Sequence, residues 1–207
     1  MDEPKYTTSK ASKNRKYYFK FKRISEFIFA LVLLIVTSPL TLIAIICIMI
    51  ESPGNPFYVQ KRMGLLGREF SLFKLRSMYK DSEKSGIQWA QKNDPRVTKV
   101  GNIIRKNRID ELPQLLNIIL GNMALIGPRP ERKQFVEEFT SEIPDFPKRM
   151  KVKPGLTGWA QINGGYDITP EEKLKLDLYY IRNVGLRIDS DIFIKTIKIV
   201  LTGDGAR

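Results

Sequence analysis

The chain has no histidine and a single cysteine, Cys47. Without histidine there is no Ser-His-Asp or Cys-His pair, no His-ligated zinc and no helical zinc-protease motif. One cysteine excludes a disulfide framework and a thiolate metal cluster. Any acid, base or nucleophile must therefore come from Asp, Glu, Lys, Tyr, Ser or Thr. Acidic residues are also scarce: 22 Asp and Glu face 35 Lys and Arg, a formal charge of +13. The 207 residues suit one domain, or a modest domain plus an appendage, and 43% apolar residues can fill a core, which excludes a disordered chain.

Charge is missing altogether from Phe27 to Ile50, 24 residues. At about 1.5 Å per residue, a straight helix of that length covers a ~30 Å hydrocarbon core. A cleaved signal peptide is the alternative, but the run is too long and no small-x-small cleavage site follows. Residues 1–26 carry eight Lys or Arg against Asp2, Glu3 and Glu26, a net of +5. Residues 51–80 carry six against Glu51 and Glu69, a net of +4. Both flanks favour the cytoplasmic side. Between them lies Thr37-Ser38-Pro39, where Pro39 frees the carbonyl of Ile35 and nearby hydroxyls can satisfy it. A helix that enters the membrane, breaks at Ser38-Pro39 and returns to the same face reconciles charge with kink. A kinked spanning helix is the competing reading.

Glu51-Ser52-Pro53-Gly54-Asn55-Pro56 is dense in turn formers and marks the exit into a globular region. Residues 57–60 and 70–75 read as strands joined through a turn over 63–67, while 80–96 reads as loop. Helices are predicted over 97–109, 111–120 with Gly121 as the stop, 130–141, 170–182 and 189–202. The fold class is thus α+β, a mostly helical membrane-associated domain with a small β-hairpin. It divides into a basic segment (1–26), a membrane helix (27–50) and a globular region (51–207). The final helix presents Ile188, Ile192, Phe193, Ile197, Val200 and Leu201 beside Lys195 and Lys198, a stripe suited to a core or to a membrane interface.

Adjacent carboxylates occur at Asp110-Glu111, preceded by Arg105 and Arg108. Helix capping by Asp110 is the plain structural reading. Against it, the cations and a helix dipole favour ionised carboxylates, and an ionised Asp beside fixed cations is a reasonable nucleophile toward phosphate. Gly127-Pro128-Arg129-Pro130 holds an arginine between two prolines, either as a rigid turn or as an aimed, forked donor for phosphate. Lys153-Pro154-Gly155-Leu156-Thr157-Gly158-Trp159-Ala160-Gln161 offers glycines that permit close backbone approach and a Trp suited to a base or an interface.

Taken together, Lys74-Leu75-Arg76-Ser77-Met78, Asp110-Glu111-Leu112-Pro113-Gln114 and these two Gly-Pro segments resemble the bacterial sugar transferases, the monotopic phosphoglycosyl transferases. The resemblance covers about Lys22 to Gly205. It implies transfer of sugar 1-phosphate from a UDP-sugar to a polyprenyl phosphate such as undecaprenyl phosphate, with release of UMP. It further implies Asp110 as the nucleophile of a covalent phosphosugar intermediate, Glu111 as a holder of Mg2+, and Lys74, Arg76 and Arg105 as active-site cations. Arg129 matches an arginine associated with the nucleotide, and Ser38-Pro39 matches the re-entrant break. The implied partners are the UDP-sugar, the polyprenyl phosphate and the lipid bilayer, at the cytoplasmic face of a bacterial inner membrane, with no nucleic acid; a homo-oligomer is left open.

Some positions depart from the family pattern. Asn107-Arg108-Ile109 stands where Thr-Ser-Leu is expected, Asn122 where Asp is usual and Gly165 where Arg often follows Gly164. The four-helix membrane domain of longer members has no counterpart in these residues, so the resemblance implies the minimal catalytic form. Two readings outside enzymology compete: a membrane-tethered nucleic-acid binder and a polybasic scaffold on the inner leaflet.

Overall fold

A computed structural model describes residues 9–82, 94–164 and 168–202. Most of the loop expected over 80–96, and Gly165, lie outside the described residues. The long apolar segment belongs to helix α1, Ser9–Glu51, which carries Pro39 in its interior. Helical hydrogen bonding continues through the proline because the Ser38 hydroxyl donates to the Ile35 carbonyl at 2.7 Å, the group Pro39 cannot serve. Thr37 and Thr41 likewise donate to Leu33 and Thr37 carbonyls, at 2.7 and 2.9 Å. In its most apolar stretch only 11% of the helix is buried, which sets it apart from the core helix of a globular protein.

Both arms of α1 nonetheless touch the globular body. Ala30 is buried with Phe70, Leu72, Leu115 and Ile118, whereas Ala44 and Ile48 are buried with Leu75 and Ile104. Ile35, Val36, Leu40, Leu42 and Ile43, between those contacts, are exposed. At its N-terminal end, Lys22 is buried between Glu26 (2.7 Å) and Asp189 (2.5 Å). This part of the basic flank is therefore an internal tie rather than a free cation. At its C-terminal end, the Glu51 carboxylate accepts the backbone N–H of Lys99 and Val100, both at 2.8 Å. It caps the next helix through space.

Strands β1 (Phe57–Met63) and β2 (Glu69–Leu75) form the predicted hairpin, antiparallel with Tyr58 opposite Lys74. Helix α2 (Lys99–Lys106) starts at Thr98, whose hydroxyl accepts the Gly101 N–H at 2.8 Å. A side chain at Gly101 would place its Cβ 2.0 Å from the Ser77 carbonyl oxygen, so only glycine lets α2 lie this close to the strand exit. Helix α3 (Gln114–Ile119) hangs on β2: the fully buried Asn117 accepts the Phe73 N–H at 3.0 Å and donates to the Ser71 carbonyl at 2.7 Å. Gly121, at φ +86°, ends α3 at the predicted stop.

A second, unpredicted pairing follows, in which β3 (Ala124–Ile126) runs parallel to β4 (Gly155–Thr157). Helix α4 (Lys133–Glu142) and the short α5 (Trp159–Asn163) lead to α6 (Pro170–Asn183), which opens with a Thr169/Glu172 capping box. The last helix, α7 (Leu186–Thr202), buries part of its apolar stripe and leaves part exposed. Ile188, Ile192 and Phe193 pack in the core with Ile126 and Tyr180, while Ile194, Ile197 and Val200 face outward.

Candidate active site

Asp110 and Glu111 sit in a single 3-10 turn, Ile109–Glu111, between α2 and α3. The turn is entered through Arg108 in the left-handed region (φ 55°), and α3 begins only at Gln114, so Asp110 does not cap a helix. Both carboxylates are buried, at 6% and 8% exposure. Lys74, from the end of β2, places its Nζ 3.0 Å from Glu111 Oε1 and 3.7 Å from Asp110 Oδ2. Arg129 donates to the same Glu111 oxygen, and Arg108 Nη1 lies 4.0 Å from Oε2. Arg105, half-buried on α2, adds positive charge toward Asp110.

The two carboxyls are pushed in opposite directions. Burial and the neighbouring Glu111 charge hold Asp110 above the usual aspartate range, outweighing Lys74, Arg105 and Arg129. Burial pushes Glu111 up as well, but Arg129, Lys74 and Arg108 overcome it and hold that carboxyl well below its ordinary range. Among the described residues Asp110 has no hydrogen-bond donor; its nearest cation is Lys74. Glu111 anchors the cations, and Asp110 is left with uncommitted oxygens.

Arg129 is aimed by more than its flanking prolines. Arg149 donates from Nη2 to the Arg129 carbonyl at 2.8 Å, and Arg62 donates to the Pro130 carbonyl at 3.1 Å. Both arginines belong to a buried ion cluster that single-residue reading of the sequence missed. Glu131 faces Arg62 (3.4 Å), Arg149 (3.8 Å) and Lys173, and Arg149 also pairs with Asp177 at 2.7 Å. These charges are separated by tens of residues in the chain and share no local pattern.

The two Gly-Pro segments meet each other. A Cβ on Gly155 would lie 2.1 Å from the Gly127 nitrogen, and one on Gly158 would lie 2.1 Å from the Gly127 carbonyl oxygen. Their glycines therefore serve backbone-to-backbone packing beside β3 and β4. Trp159 packs on Tyr179 at 5.2 Å between ring centres, with Lys195 Nζ 5.3 Å above its ring. Of the expected cations, Lys74, Arg105 and Arg129 surround the carboxylates. Arg76 does not: β2 ends at Leu75, the strand alternation stops there, and the Arg76 guanidinium donates to the Ser52 carbonyl beside Gly54.

Four cations around two carboxylates leave a net positive site, suited to a polyanion such as a diphosphate. Among the described residues no three acidic or thiol groups cluster as a self-contained metal cage. The donor set nevertheless fits Mg2+, which is commonly held by one or two carboxylates together with substrate phosphates. Glu111 Oε2 is the oxygen left for it, since Lys74 and Arg129 share Oε1.

Comparison with known proteins identifies the family. The family described as Bacterial sugar transferase matches residues 17–203. An Aeromonas hydrophila UDP-N-acetylgalactosamine-undecaprenyl-phosphate N-acetylgalactosaminephosphotransferase is 46% identical over 193 residues, 92% of this chain and 46% of that protein. A Xanthomonas campestris UDP-glucose:undecaprenyl-phosphate glucose-1-phosphate transferase is 40% identical over 191 residues, 89% of this chain and 40% of its own length. The Caulobacter vibrioides protein of that same name is 39% identical over 190 residues, and the match covers 71% of it. This chain thus spans less than half of the first two relatives.

Proposed function

The chain belongs to the bacterial sugar transferase family, and from that premise we propose that it moves a sugar 1-phosphate from a UDP-sugar to undecaprenyl phosphate. The reading is carried by one observation: a buried aspartate that has no hydrogen-bond donor among the described residues, set in a ring of cations beside a glutamate whose Oε1 is shared by Lys74 and Arg129. The cations of Lys74, Arg105, Arg108 and Arg129 receive the diphosphate and offset its charge. An Asp110 oxygen attacks the sugar-linked phosphorus, the bond to the bridging oxygen breaks, and UMP leaves with that oxygen. A phosphate oxygen of the acceptor then attacks the same phosphorus, and Asp110 departs as a carboxylate. Mg2+ held by Glu111 would supply further charge neutralisation on the diphosphate. Glu111 also keeps Lys74 and Arg129 in place around the nucleophile, and burial keeps water from competing.

A lipid acceptor gives α1 its purpose, since catalytic body and substrate must meet at a membrane surface. We place that body on the cytoplasmic side with α1 re-entrant. The reading is supported by the two basic flanks and by the docking of both helix arms, at Ala30 and at Ala44 and Ile48, on the same globular body. The relatives named above act with different UDP-sugars, so the donor is to be found by assay. A panel of UDP-sugars with undecaprenyl phosphate should release UMP from at least one, lose that release in excess chelator and regain it with magnesium. No release from any donor would return the chain to the scaffold or nucleic-acid alternatives.

A further inference from the structure

A cavity of about 320 Å³ lies between the N-terminal arm of α1, β3 and the segment leading into β4, walled by Phe19, Leu65, Met123 and Val152 among others. Its size falls at the small end of ligand sites. It shares no residue with the Asp110 site. Arg23, on its wall, donates to the Ile118 and Ile119 carbonyls at the C-terminal end of α3, whereas Asp110 and Glu111 precede the N-terminal end.

The charges facing this cavity are unbalanced. Lys22 is taken up by Glu26 and Asp189 together, which leaves Arg23, Lys151 and Lys153 as the other cations of the lining. Among the described residues no carboxylate lies within ion-pair distance of these three. Arg23 is held by carbonyl groups, which fix its geometry without cancelling its charge. Arg23 and Lys153 both line the cavity and come near each other at its edge, their Nη2 and Nζ lying 3.1 and 3.8 Å from the point where a Cβ on Gly121 would stand. Burial, with Arg23 alongside, holds the Lys153 amine below its usual range. Two neighbouring cations above an apolar wall, where a membrane helix meets its domain, match a group that carries a phosphate and a hydrocarbon tail together.

We propose that this cavity binds the headgroup of an anionic bilayer phospholipid, its phosphate between Arg23 and Lys153 and its first carbons against Phe19 and Val152. The apolar wall disfavours inorganic phosphate, and the position at the far end of α3 disfavours the reacting phosphate of the acceptor. The proposal rests on the membrane association of α1.

Native mass spectrometry of the full chain released from detergent tests it, with phosphatidylglycerol, phosphatidylcholine, undecaprenyl phosphate and inorganic phosphate as probes. One phosphatidylglycerol should be retained per chain in preference to phosphatidylcholine. Retention should fall roughly tenfold or more in Lys153→Glu and persist in Lys153→Arg. Phe19→Glu, at a partly exposed position on the cavity wall, should also lose it, and decides the matter should Lys153→Glu fail to fold. Equal retention of phosphatidylcholine, unchanged retention in the Lys153 and Phe19 variants, or displacement by inorganic phosphate or undecaprenyl phosphate would overturn the proposal. Sedimentation with membranes is scored separately: a chain that selects phosphatidylglycerol but does not sediment would defeat the membrane reading and not the site.

Discussion

Asp110 and Asp177 are both buried aspartates beside cations, and burial raises both carboxyls above their usual range. Their surroundings differ in commitment. Asp177 Oδ2 accepts the Arg149 Nε–H at 2.8 Å and ion-pairs with Nη2 at 2.7 Å, and that Nη2 in turn donates to the Arg129 carbonyl. Asp110 receives no hydrogen bond among the described residues and stands 3.7 Å from Lys74. A carboxylate with both partners and geometry fixed is structural, because every lone pair spent on a donor is one withheld from an electrophile. A carboxylate buried without donors is costly to the fold, and such a cost is expected where the group reacts. The cluster around Glu131 thus builds the turn that carries Arg129, and the cluster around Asp110 uses it.

Four measurements would break or sharpen this contrast. The largest effect is expected from Asp110→Ala, which should lower UMP release at least about 10³-fold, as for removal of a nucleophile. Its melting temperature should hold or rise near neutral pH. The sign follows from the raised carboxyl: ionising Asp110 disfavours the folded state once pH exceeds the ordinary aspartate value of ~3.9.

Asp177→Ala should do the reverse in the first instance. It removes the shorter of the two carboxylate partners of the buried Arg149 guanidinium and leaves Glu131 at 3.8 Å, costing up to about 3–5 kcal/mol of stability, visible as a lower melting temperature. Activity should fall only as far as Arg129 loses its aim. Equal stability losses in the two alanine variants would erase the distinction.

Glu111→Gln comes next, with turnover reduced by roughly 10²-fold, while Asp110 stays in place. Glu111 is depressed in the fold, so its contribution to stability is present above the unfolded value of ~4.3 and is lost as pH falls through the folded value. The glutamine variant should therefore lose the acid-side decline in stability that the wild type shows below that value.

The smallest effect is in the pH profile. Because Asp110 must be ionised to attack and is held high, the acid limb of kcat/KM should fall above ~3.9, and removing the Glu111 charge should draw it downward.

Much of this arrangement was legible in the residues, for identifiable reasons. The hairpin announced itself by a short run at 57–60 and an alternating one at 70–75 on either side of Gly64 and Gly67. Asp110-Glu111 stood out as adjacent carboxylates in a basic frame. What the sequence did not reveal is non-local. Ala124–Ile126 and Gly155–Thr157 are three residues each, too short for a period, and their parallel pairing depends on glycines 127, 155 and 158 meeting in space. The Glu131, Arg149 and Asp177 cluster joins residues that singly read as surface charge. Arg76, an active-site cation by the resemblance alone, lies past the end of β2 and donates to the Ser52 carbonyl instead.

The central claim is that Asp110 is uncommitted in the fold because it becomes covalently committed in the reaction. Intact-mass analysis of the chain mixed with its preferred UDP-sugar, without acceptor, tests this directly. The account predicts a gain of one sugar phosphate, located on the peptide containing Asp110, accompanied by about one UMP per chain and discharged by undecaprenyl phosphate. An unmodified chain that still forms the lipid product when acceptor is added would contradict it.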